Sequence, residues 1–367
     1  MNQNFGKNIL NKVNLSKQYD IIIVTHLPSS YKVNLYNEVA KNKKIYVLFI
    51  AHNSLERTND FLNLNCEFEY QVINNCKLES RNRYISSFKL IQILKRLKSK
   101  YLIVNGWDLL EFWVCILLPF FKKGIALEST IYESNFSFFH RTIKCIFLYF
   151  THFALPSGEP HFKVLSKLKY KKEHKIVSGV GIPNIYYQQK SIFFNEEVLS
   201  NDFIFIGRLV KEKNINLLIQ AFSKLPHINL TIVGSGPLEI ELKKNASKNV
   251  NFIGHVDNSK LHELLNSHNS LILPSISETW GLVIEEALIY ELPVIISSIV
   301  GCSIDIVKKY NVGCIFENNN ADSLINKIEF MLNHDTYKNY KNNIKSIHLN
   351  EMYSNQINAY SLNWINC

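Results

Sequence analysis

The stretch "FIFIGRLVKEKNINLLIQAF", from Phe203 to Phe222, joins a continuous apolar run to a glycine turn and a helix-like segment. The apolar run ends at Gly207, and Arg208 and Lys213 occupy the loop and first turn before the helix. Uninterrupted apolar runs separated by helices are the pattern of a parallel sheet that is covered on both faces. The stretch therefore predicts one strand–helix unit of a doubly wound α/β domain.

The same pattern recurs along most of the chain. In the first half, strand-like runs occupy residues 19–26, 44–52, 101–108 and 124–130. In the second half they are "INLTIVGSG", "NVNFIGHV", "SLILPS" and "PVIISS". A chain of 367 residues is too long for one ordinary hydrophobic core. We therefore predict two Rossmann-like α/β domains, residues 1–191 and 192–348, and a C-terminal helix, 349–367, that packs back on the first domain.

Composition indicates a globular protein, since 47% of residues are hydrophobic and 20% are charged. The seven cysteines are odd in number and lack C-x-x-C spacing, which favours reduced thiols in the cytosol. The polar N-terminal residues lack the apolar core of a signal peptide. Two aromatic-rich stretches, Leu109–Phe121 and Ile143–Pro156, are shorter than the roughly 20 apolar residues of a spanning helix, so we expect buried or interfacial helices there.

Charge is divided unequally between the two halves. The net charge is +14 over residues 1–190 and −4 over residues 191–367. The basic runs "ILKRLKSKY" and "KVLSKLKYKKEHK" supply much of the excess. Taken singly, either run is also explained by solvated lysines. Together they predict an anionic partner of the first half, either membrane phospholipid or a phosphate-linked acceptor.

Two glycine turns in the second half are candidates for anion binding. Arg208 and Lys213, beside Gly207 and a helix N-terminus, form a cationic pair suited to phosphate. The second turn, "IVGSGPL", contains Gly234 and Gly236. It is not a G-x-G-x-x-G fingerprint because the last position is Glu239, which argues against a nicotinamide or flavin cofactor.

A third cluster, "PSISETWGLVIEEALIYELPVI", carries two acids eight positions apart, Glu278 and Glu286. On one continuous helix their side chains would diverge by about 80°. If Glu278 lies in a loop and a helix starts near Gly281, both can contact one ligand. The adjacent Glu285 would point about 100° away from Glu286, so we assign it a solvent or structural role.

The three clusters, in this order, resemble the retaining nucleotide-sugar glycosyltransferases of family 4, which have the GT-B fold with the active site between two domains. The resemblance is strong over residues 203–317 and weaker before them. It implies that Glu286 binds the ribose hydroxyls, that Glu278 binds hydroxyls of the transferred sugar, and that Arg208 and Lys213 hold the diphosphate. It also implies contacts from Gly207, Gly234 and Gly236, from the backbone of Gly281 and Leu282, and, near the base, from Ile253.

On the acceptor side, the resemblance places Glu128 at a strand end in the active site. Glu133 and His140 are alternatives. Gly181 is expected to line the cleft and Gly158 to serve backbone geometry. Three features depart from the family pattern: Glu291-Leu292 replaces a glycine before Pro293, Ile182-Pro183 replaces an Asp, and "THLPSSYKVN" replaces a Gly-Gly loop.

The expected reaction is transfer of one sugar from a UDP- or GDP-sugar to a glycan or lipid-linked acceptor in polysaccharide, O-antigen or capsule assembly. No two Asp residues have D-x-D spacing, so we predict a metal-independent enzyme without a cofactor beyond its nucleotide-sugar substrate. The resemblance implies same-face attack, with the leaving phosphate aiding proton removal. The expected location is the cytoplasm, peripherally on the inner face of the cell membrane.

Two alternatives remain from the sequence. A nucleotide-sugar 2-epimerase shares the two-sheet architecture, but it would not explain the basic first half. A basic nucleic-acid-binding protein would explain the charge, but the chain has no recognised nucleic-acid-binding motif, so nucleic acid is not an expected partner.

Overall fold

A computed structural model describes residues 17–55, 65–184, 200–257 and 260–365. The first half of the chain forms a parallel sheet of seven strands in the order β3-β2-β1-β4-β5-β6-β7. The strands are β1 (Gln18–Thr25), β2 (Ile45–Asn53), β3 (Glu69–Lys77), β4 (Lys98–Val104), β5 (Lys122–Leu127), β6 (Phe153–Pro156) and β7 (Glu173–His174). Central strands are buried along most of their length, as expected for strands with helices on both faces.

Five helices connect these strands: α1 (Ser30–Ala40), α2 (Arg83–Leu94), α3 (Leu110–Leu117), α4 (Phe138–Tyr149) and α5 (Glu159–Lys167). The side chain of Asn82 caps α2 by accepting hydrogen bonds from the backbone N–H groups of Tyr84 and Ile85, at 3.0 and 3.1 Å. Over the described ranges, no helix is both long and apolar enough to cross a bilayer. The second aromatic stretch is not one helix, because it is divided between α4 and β6.

The second half forms a six-stranded parallel sheet in the order β10-β9-β8-β11-β12-β13. Its strands are β8 (Asp202–Ile206), β9 (Asn229–Val233), β10 (Val250–Gly254), β11 (Ser270–Leu273), β12 (Val294–Ser297) and β13 (Gly313–Phe316). Its helices are α6 (Ile215–Ser223), α7 (Glu239–Asn245), α8 (Leu261–Ser267), α9 (Leu282–Ile289), α10 (Ala321–Met331) and α11 (His334–Lys345). A 3-10 turn spans Lys211–Lys213, and a π-helix spans Ser303–Lys308.

The chain divides into two compact units: the second contains residues 183–351 together with the short segment Gly158–Pro160, and the chain returns to the first unit at Met352. The last helix, α12 (Leu349–Tyr360), crosses this point. Within the first unit, the Gln356 side chain accepts a 3.0 Å hydrogen bond from the backbone N–H of Gly181. The domain boundary that the sequence predicts at residue 191 lies outside the residues that the structure describes. Two parallel-sheet Rossmann-like domains were predicted, and this fold class is confirmed.

Candidate functional site

Two glycine turns contact each other at the carboxyl ends of β8 and β9. The backbone N–H of Gly207 donates to Val233 O at 3.0 Å, and that of Leu209 donates to Ser235 O at 2.9 Å. Gly234 has φ +131°, and a Cβ atom there would lie 1.9 Å from Gly207 O. A Cβ at Gly236 would lie 2.4 Å from Leu209 O. Glycine is therefore required because the two turns approach backbone to backbone, which leaves no room for a side chain.

Glu278 lies in the loop between β11 and α9, and backbone contacts fix that loop from two sides. The N–H of Ile276 donates to Glu212 O at 2.9 Å, which ties the loop to the 3-10 turn Lys211–Lys213. The N–H of Gly301 donates to Glu278 O at 3.0 Å. These bonds bring together the loops after β8, β11 and β12, so the carboxylate position depends on three chain segments.

The structure brings Lys213 and Glu278 into contact. The Lys213 Nζ atom donates to Glu278 Oε2, and the side chains are only 20% and 16% exposed. The Ser275 hydroxyl lies 3.4 Å from the same carboxylate oxygen. An ammonium and a carboxylate side by side can serve the two polar parts of one ligand, the ammonium binding an anion and the carboxylate accepting bonds from hydroxyls.

Helix α9 begins directly after Gly281, which has φ +98° and is the N-cap residue. Leu282 is the first helical residue, as the loop-then-helix interpretation predicted. Glu286 lies in the second turn and is half-buried. Burial raises the pKa of Glu286 to about 7. Within the described residues, its carboxyl has neither a hydrogen-bond partner nor an ion-pair partner.

Glu285 has the opposite environment. It is fully buried, and its carboxylate accepts a 2.6 Å hydrogen bond from the indole N–H of Trp280, which is also buried. Consecutive helical residues differ by about 100° in direction, so one acid packs inward while the next faces a different side. Of the two roles that the sequence left open for Glu285, the structure gives the structural one.

The remaining donor-side residues lie along one edge of the second sheet. Arg208 follows β8 and its side chain is exposed. Ile253, near the end of β10, is 37% exposed. Because β10, β9, β8 and β11 are parallel neighbours, their carboxyl ends share an edge. Open α/β sheets bind ligands outside this edge. The structure thus places Arg208, the glycine turns, Ile253 and the Glu278 loop on one side of the sheet.

In the first unit, Glu128 follows β5 and forms an ion pair with Lys32, a residue of α1 that the sequence analysis did not single out. The Lys32 side chain is 5% exposed. Burial by itself would lower the pKa of Lys32, but the Glu128 carboxylate and neighbouring tyrosines outweigh burial, so the pKa is raised. No sequence signal pointed to Lys32, because polar residues are spread along α1 and only the structure shows that seven of its eleven residues are buried.

Other first-half candidates have local partners. The Glu133 carboxylate lies 3.4 Å from the Thr130 hydroxyl, and His140 Nδ1 lies 2.8 Å from the Ser137 hydroxyl. Gly181, at φ +152°, packs against Tyr31, where a Cβ would lie 2.5 Å from the Tyr31 carbonyl oxygen. A Cβ at Gly158 would lie 2.5 Å from Asp305 Oδ2. Gly181 and Gly158 are thus explained by close packing.

The ranges given for the fold contain no group of three or more His, Cys, Asp or Glu side chains that could hold a metal ion.

Comparison with known proteins places this geometry in context. Residues 188–347 match the family model described as glycosyl transferases group 1. Over 236 residues the chain is 28% identical to the capsular polysaccharide biosynthesis glycosyltransferase CapM of Staphylococcus aureus. The matched region covers 59% of this chain and 61% of that protein. It is 24% identical over 311 residues to the O-antigen chain mannosyltransferase C of Escherichia coli, covering 80% and 82%.

The chain spans 61%, 46% and 60% of the length of the first three curated relatives it matches. Among solved structures, HepE of Anabaena in complex with UDP superposes with a TM-score of 0.70, at 14% identity, covering 94% of this chain and 100% of that one. At such identity the likeness shows the fold, which is that of the GT-B glycosyltransferases.

Proposed function

We propose that this protein is a retaining glycosyltransferase that moves one sugar from a UDP- or GDP-sugar to a glycan or lipid-linked acceptor in surface-polysaccharide assembly. The observation that carries the proposal is the contact between Lys213 and Glu278 beside the start of α9. The match of residues 188–347 to group 1 glycosyl transferases supports the reaction class. The names of the capsule and O-antigen relatives support the polysaccharide setting.

The donor's diphosphate is held by Lys213 and Arg208. Cleavage of the sugar–phosphate bond leaves negative charge on the diphosphate, and fixed cations stabilise that charge as it develops. The first N–H groups of α9, from Leu282 onward, add the positive end of a helix dipole. These groups supply the charge that a metal provides elsewhere, so the reaction proceeds without a metal, and EDTA leaves the rate unchanged.

The two acids bind the sugars on either side of the diphosphate. Glu278 accepts hydrogen bonds from hydroxyls of the transferred sugar, and Glu286 accepts them from the ribose. An ionised carboxylate is an acceptor-only group that suits vicinal hydroxyls. The half-buried Glu286 carboxyl, for which the described residues offer no partner, is consistent with a role that a ligand completes. The backbone near Ile253 contacts the base.

Glu128 acts on the acceptor side. Its ion pair with buried Lys32 holds the carboxylate at the end of β5, where it can accept a hydrogen bond from an acceptor hydroxyl. Transfer with retention follows same-face attack, as the resemblance to the retaining family implies.

We further propose peripheral attachment to an anionic membrane surface on its cytoplasmic face. Helix α4 exposes Phe138, Phe139 and Tyr149, at 88%, 69% and 75%. Arg141 on the same helix is also exposed. Aromatic rings insert at the headgroup level, while each well-placed basic residue adds about 1 kcal/mol of attraction to anionic lipid.

Vesicle sedimentation tests the attachment. Phosphatidylglycerol vesicles should bind the protein at low salt and release it at high salt, and a Phe138→Ser/Phe139→Ser variant should bind weakly. Phe330→Ser, which changes a ring that is 51% exposed in the second unit, is the matched control. Equal binding to phosphatidylcholine and phosphatidylglycerol would contradict the proposal.

The reaction is tested by a thermal-shift screen with UDP- and GDP-sugars, because a ligand that binds the folded state raises Tm by mass action. Lys213→Met should abolish the shift. Lys243→Met is the matched control, since Lys243 pairs with Glu239 on the exposed face of α7. No shift with any sugar nucleotide or free nucleotide would overturn the proposal. Conversion of the donor to its epimer without an acceptor would instead favour an epimerase.

A further inference from the structure

Both basic runs of the first half fold to one edge of the first sheet, and the proposed reaction uses neither of them. The run at residues 93–101 covers the end of α2 and the start of β4. The run at residues 163–175 covers the end of α5 and all of β7. Parallel strands all begin at the same edge, so both runs lie at the amino edge of the sheet. Open α/β sheets bind ligands at the opposite, carboxyl edge, so this surface is separate from the residues proposed for the acceptor.

An open cavity of about 420 Å³ lies at the amino edge, where the chain leaves α2 and α3 to enter β4 and β5. Part of its lining is apolar and consists of Leu94, Leu97, Phe120 and Phe121. Three of these side chains are buried, whereas the Phe120 ring is 58% exposed. The amino-edge cavity therefore presents one accessible aromatic ring on a wall that the core holds in place.

The rest of the lining is cationic. Lys95, Lys98 and Lys100 line the amino-edge cavity, and no acid is among its lining residues. Within the part of the chain that the structure describes, Lys95 and Lys98 have no ion-pair partner. Asp20, on the adjacent β1, already accepts a 2.8 Å hydrogen bond from the backbone N–H of Lys44. Cations that share a cavity without acids favour an anionic ligand.

The cationic row continues across the neighbouring strands. β5 begins with Lys122 and Lys123, and Lys172 directly precedes β7. Burial and the nearby Lys123 ammonium lower the pKa of Lys172, which shows that the two basic segments are close together. From β1 to β7 the amino ends cover four strand spacings, or about 19 Å. A row of this length can contact several consecutive charges of one polymer.

Shape and composition distinguish among the polyanions that could bind here. A bilayer is flat, whereas these lysines line a recess. Sites for single-stranded nucleic acid combine a basic groove with several aromatic rings on which successive bases stack. Among the residues that line this cavity, Phe120 alone offers an exposed ring. A chain of acidic sugars fits better, because its carboxylates form charge-assisted hydrogen bonds with lysines and the C–H face of a sugar packs on a ring.

We propose that the amino-edge cavity binds a linear acidic glycan, whose carboxylates pair with Lys98 and Lys122 and whose sugar face packs on Phe120. The choice of a glycan rests on the proposed role in surface-polysaccharide assembly. The binding itself needs no nucleotide sugar. The cavity thus holds a charged polymer on the first unit, at the edge of the sheet opposite to Glu128.

Calorimetric titration with an oligogalacturonate tests the proposal, and a neutral maltooligosaccharide of equal length is the control ligand. The wild-type protein should bind the oligogalacturonate at low salt and release it as salt screens the charges. Lys98→Gln/Lys122→Gln should weaken binding about tenfold, because two exposed ion pairs are lost. Phe120→Ser should also weaken binding, but with unchanged salt dependence, because it removes no charge.

Lys244→Gln/Lys338→Gln is the matched control. These two lysines are exposed on α7 and α11 of the second unit, so the same change in net charge should leave the affinity for oligogalacturonate as it is. A Tm equal to that of the wild type shows that each variant is folded.

Equal affinity for the neutral glycan, or unchanged affinity in a folded Lys98→Gln/Lys122→Gln protein, would overturn the proposal. Tighter binding of a single-stranded oligonucleotide of equal charge would assign the cavity to nucleic acid instead. Phosphatidylglycerol binding that is lost in Lys98→Gln/Lys122→Gln but kept in Phe138→Ser/Phe139→Ser would assign it to the membrane. Failure of the proposed function is a separate result, because the wild-type protein would then bind no UDP- or GDP-sugar, whatever its affinity for oligogalacturonate.

Discussion

Replacing Glu286 by Gln should make the protein more stable and its donor site weaker. The half-buried carboxyl has a pKa of about 7 against an ordinary value of 4.5. An acid whose pKa is raised by folding is bound to its proton more tightly in the folded state. Stability therefore falls as pH rises from 4.5 to about 7 and is level above that range. Glutamine resembles the protonated acid in shape and charge, so the variant keeps its stability as pH rises.

The size of the effect follows from the same two values. Each pKa unit is worth about 1.4 kcal/mol, so the whole difference corresponds to about 3 kcal/mol as an upper bound. Partial exposure screens the charge, and we expect about 1–2 kcal/mol above pH 7. In a domain of this size, this raises Tm by roughly 3–6 °C. Below pH 4.5 the variant and the wild type should unfold alike.

Calorimetric unfolding at pH 4.5, 6 and 8 measures the change, and Glu241→Gln is the matched control. Glu241 is exposed on α7, so its substitution should stay within about 0.5 kcal/mol at each pH. In the same samples, Glu286→Gln should bind the nucleotide sugar at least tenfold more weakly at pH 8, since a hydrogen bond to a charged group is worth about 1.5–3 kcal/mol. A stability difference that does not change with pH, or unchanged donor affinity, would refute the reasoning.

Further substitutions, made at three places, test the packing beneath the sites. Gly234→Ala should prevent folding of the second unit, because its Cβ would lie 1.9 Å from a carbonyl oxygen. Gly254→Ala has open space around it at φ +77°, so it should lower the free energy of unfolding by only about 1–2 kcal/mol through backbone strain. Soluble expression and Tm distinguish the two variants. Trp280→Phe should lower the free energy of unfolding by about 1–3 kcal/mol, since the buried Glu285 carboxylate loses its 2.6 Å indole donor. Urea unfolding measures this loss, and an unchanged midpoint would contradict it. Lys32→Met should lower the free energy of unfolding by about 3–5 kcal/mol, because it leaves the Glu128 carboxylate without its buried partner. Adding Glu128→Gln should recover part of that free energy. A double-mutant cycle with no coupling energy would show that the buried ion pair does not contribute to stability.

Much of the architecture was readable from local patterns. Apolar runs such as Ile21–Val24 and Leu271–Leu273 became buried central strands, as continuous runs in parallel sheets do. Edge strands were harder to predict. β3, at one end of the first sheet, is only partly buried and contains polar residues, and β7 has two residues. An edge strand pairs with a neighbour on one side only and is less buried, so it needs fewer apolar residues. Its hydrophobic pattern in the sequence is therefore weak.

The donor-side loop illustrates how far spacing can predict a site. The helix start after Gly281 was predicted, and the structure confirms it. The separation of Glu285 from Glu286 also followed from helical geometry, but the Trp280 partner of Glu285 did not. The departure at Glu291 acquired a physical meaning only in the structure. Its φ is +56°, in the left-handed region where glycine is favoured.

The sequence by itself determined the elements, because strand and helix periodicities are recorded in neighbouring residues. It also determined the chemistry available at each strand end, including both acids, the two cations and the glycine turns. Only the tertiary structure decided which distant residues meet. Lys213 contacts Glu278 and Lys32 contacts Glu128 because strand order in a parallel sheet brings loops and helix starts that are far apart in the chain to one edge, and no local pattern encodes that order.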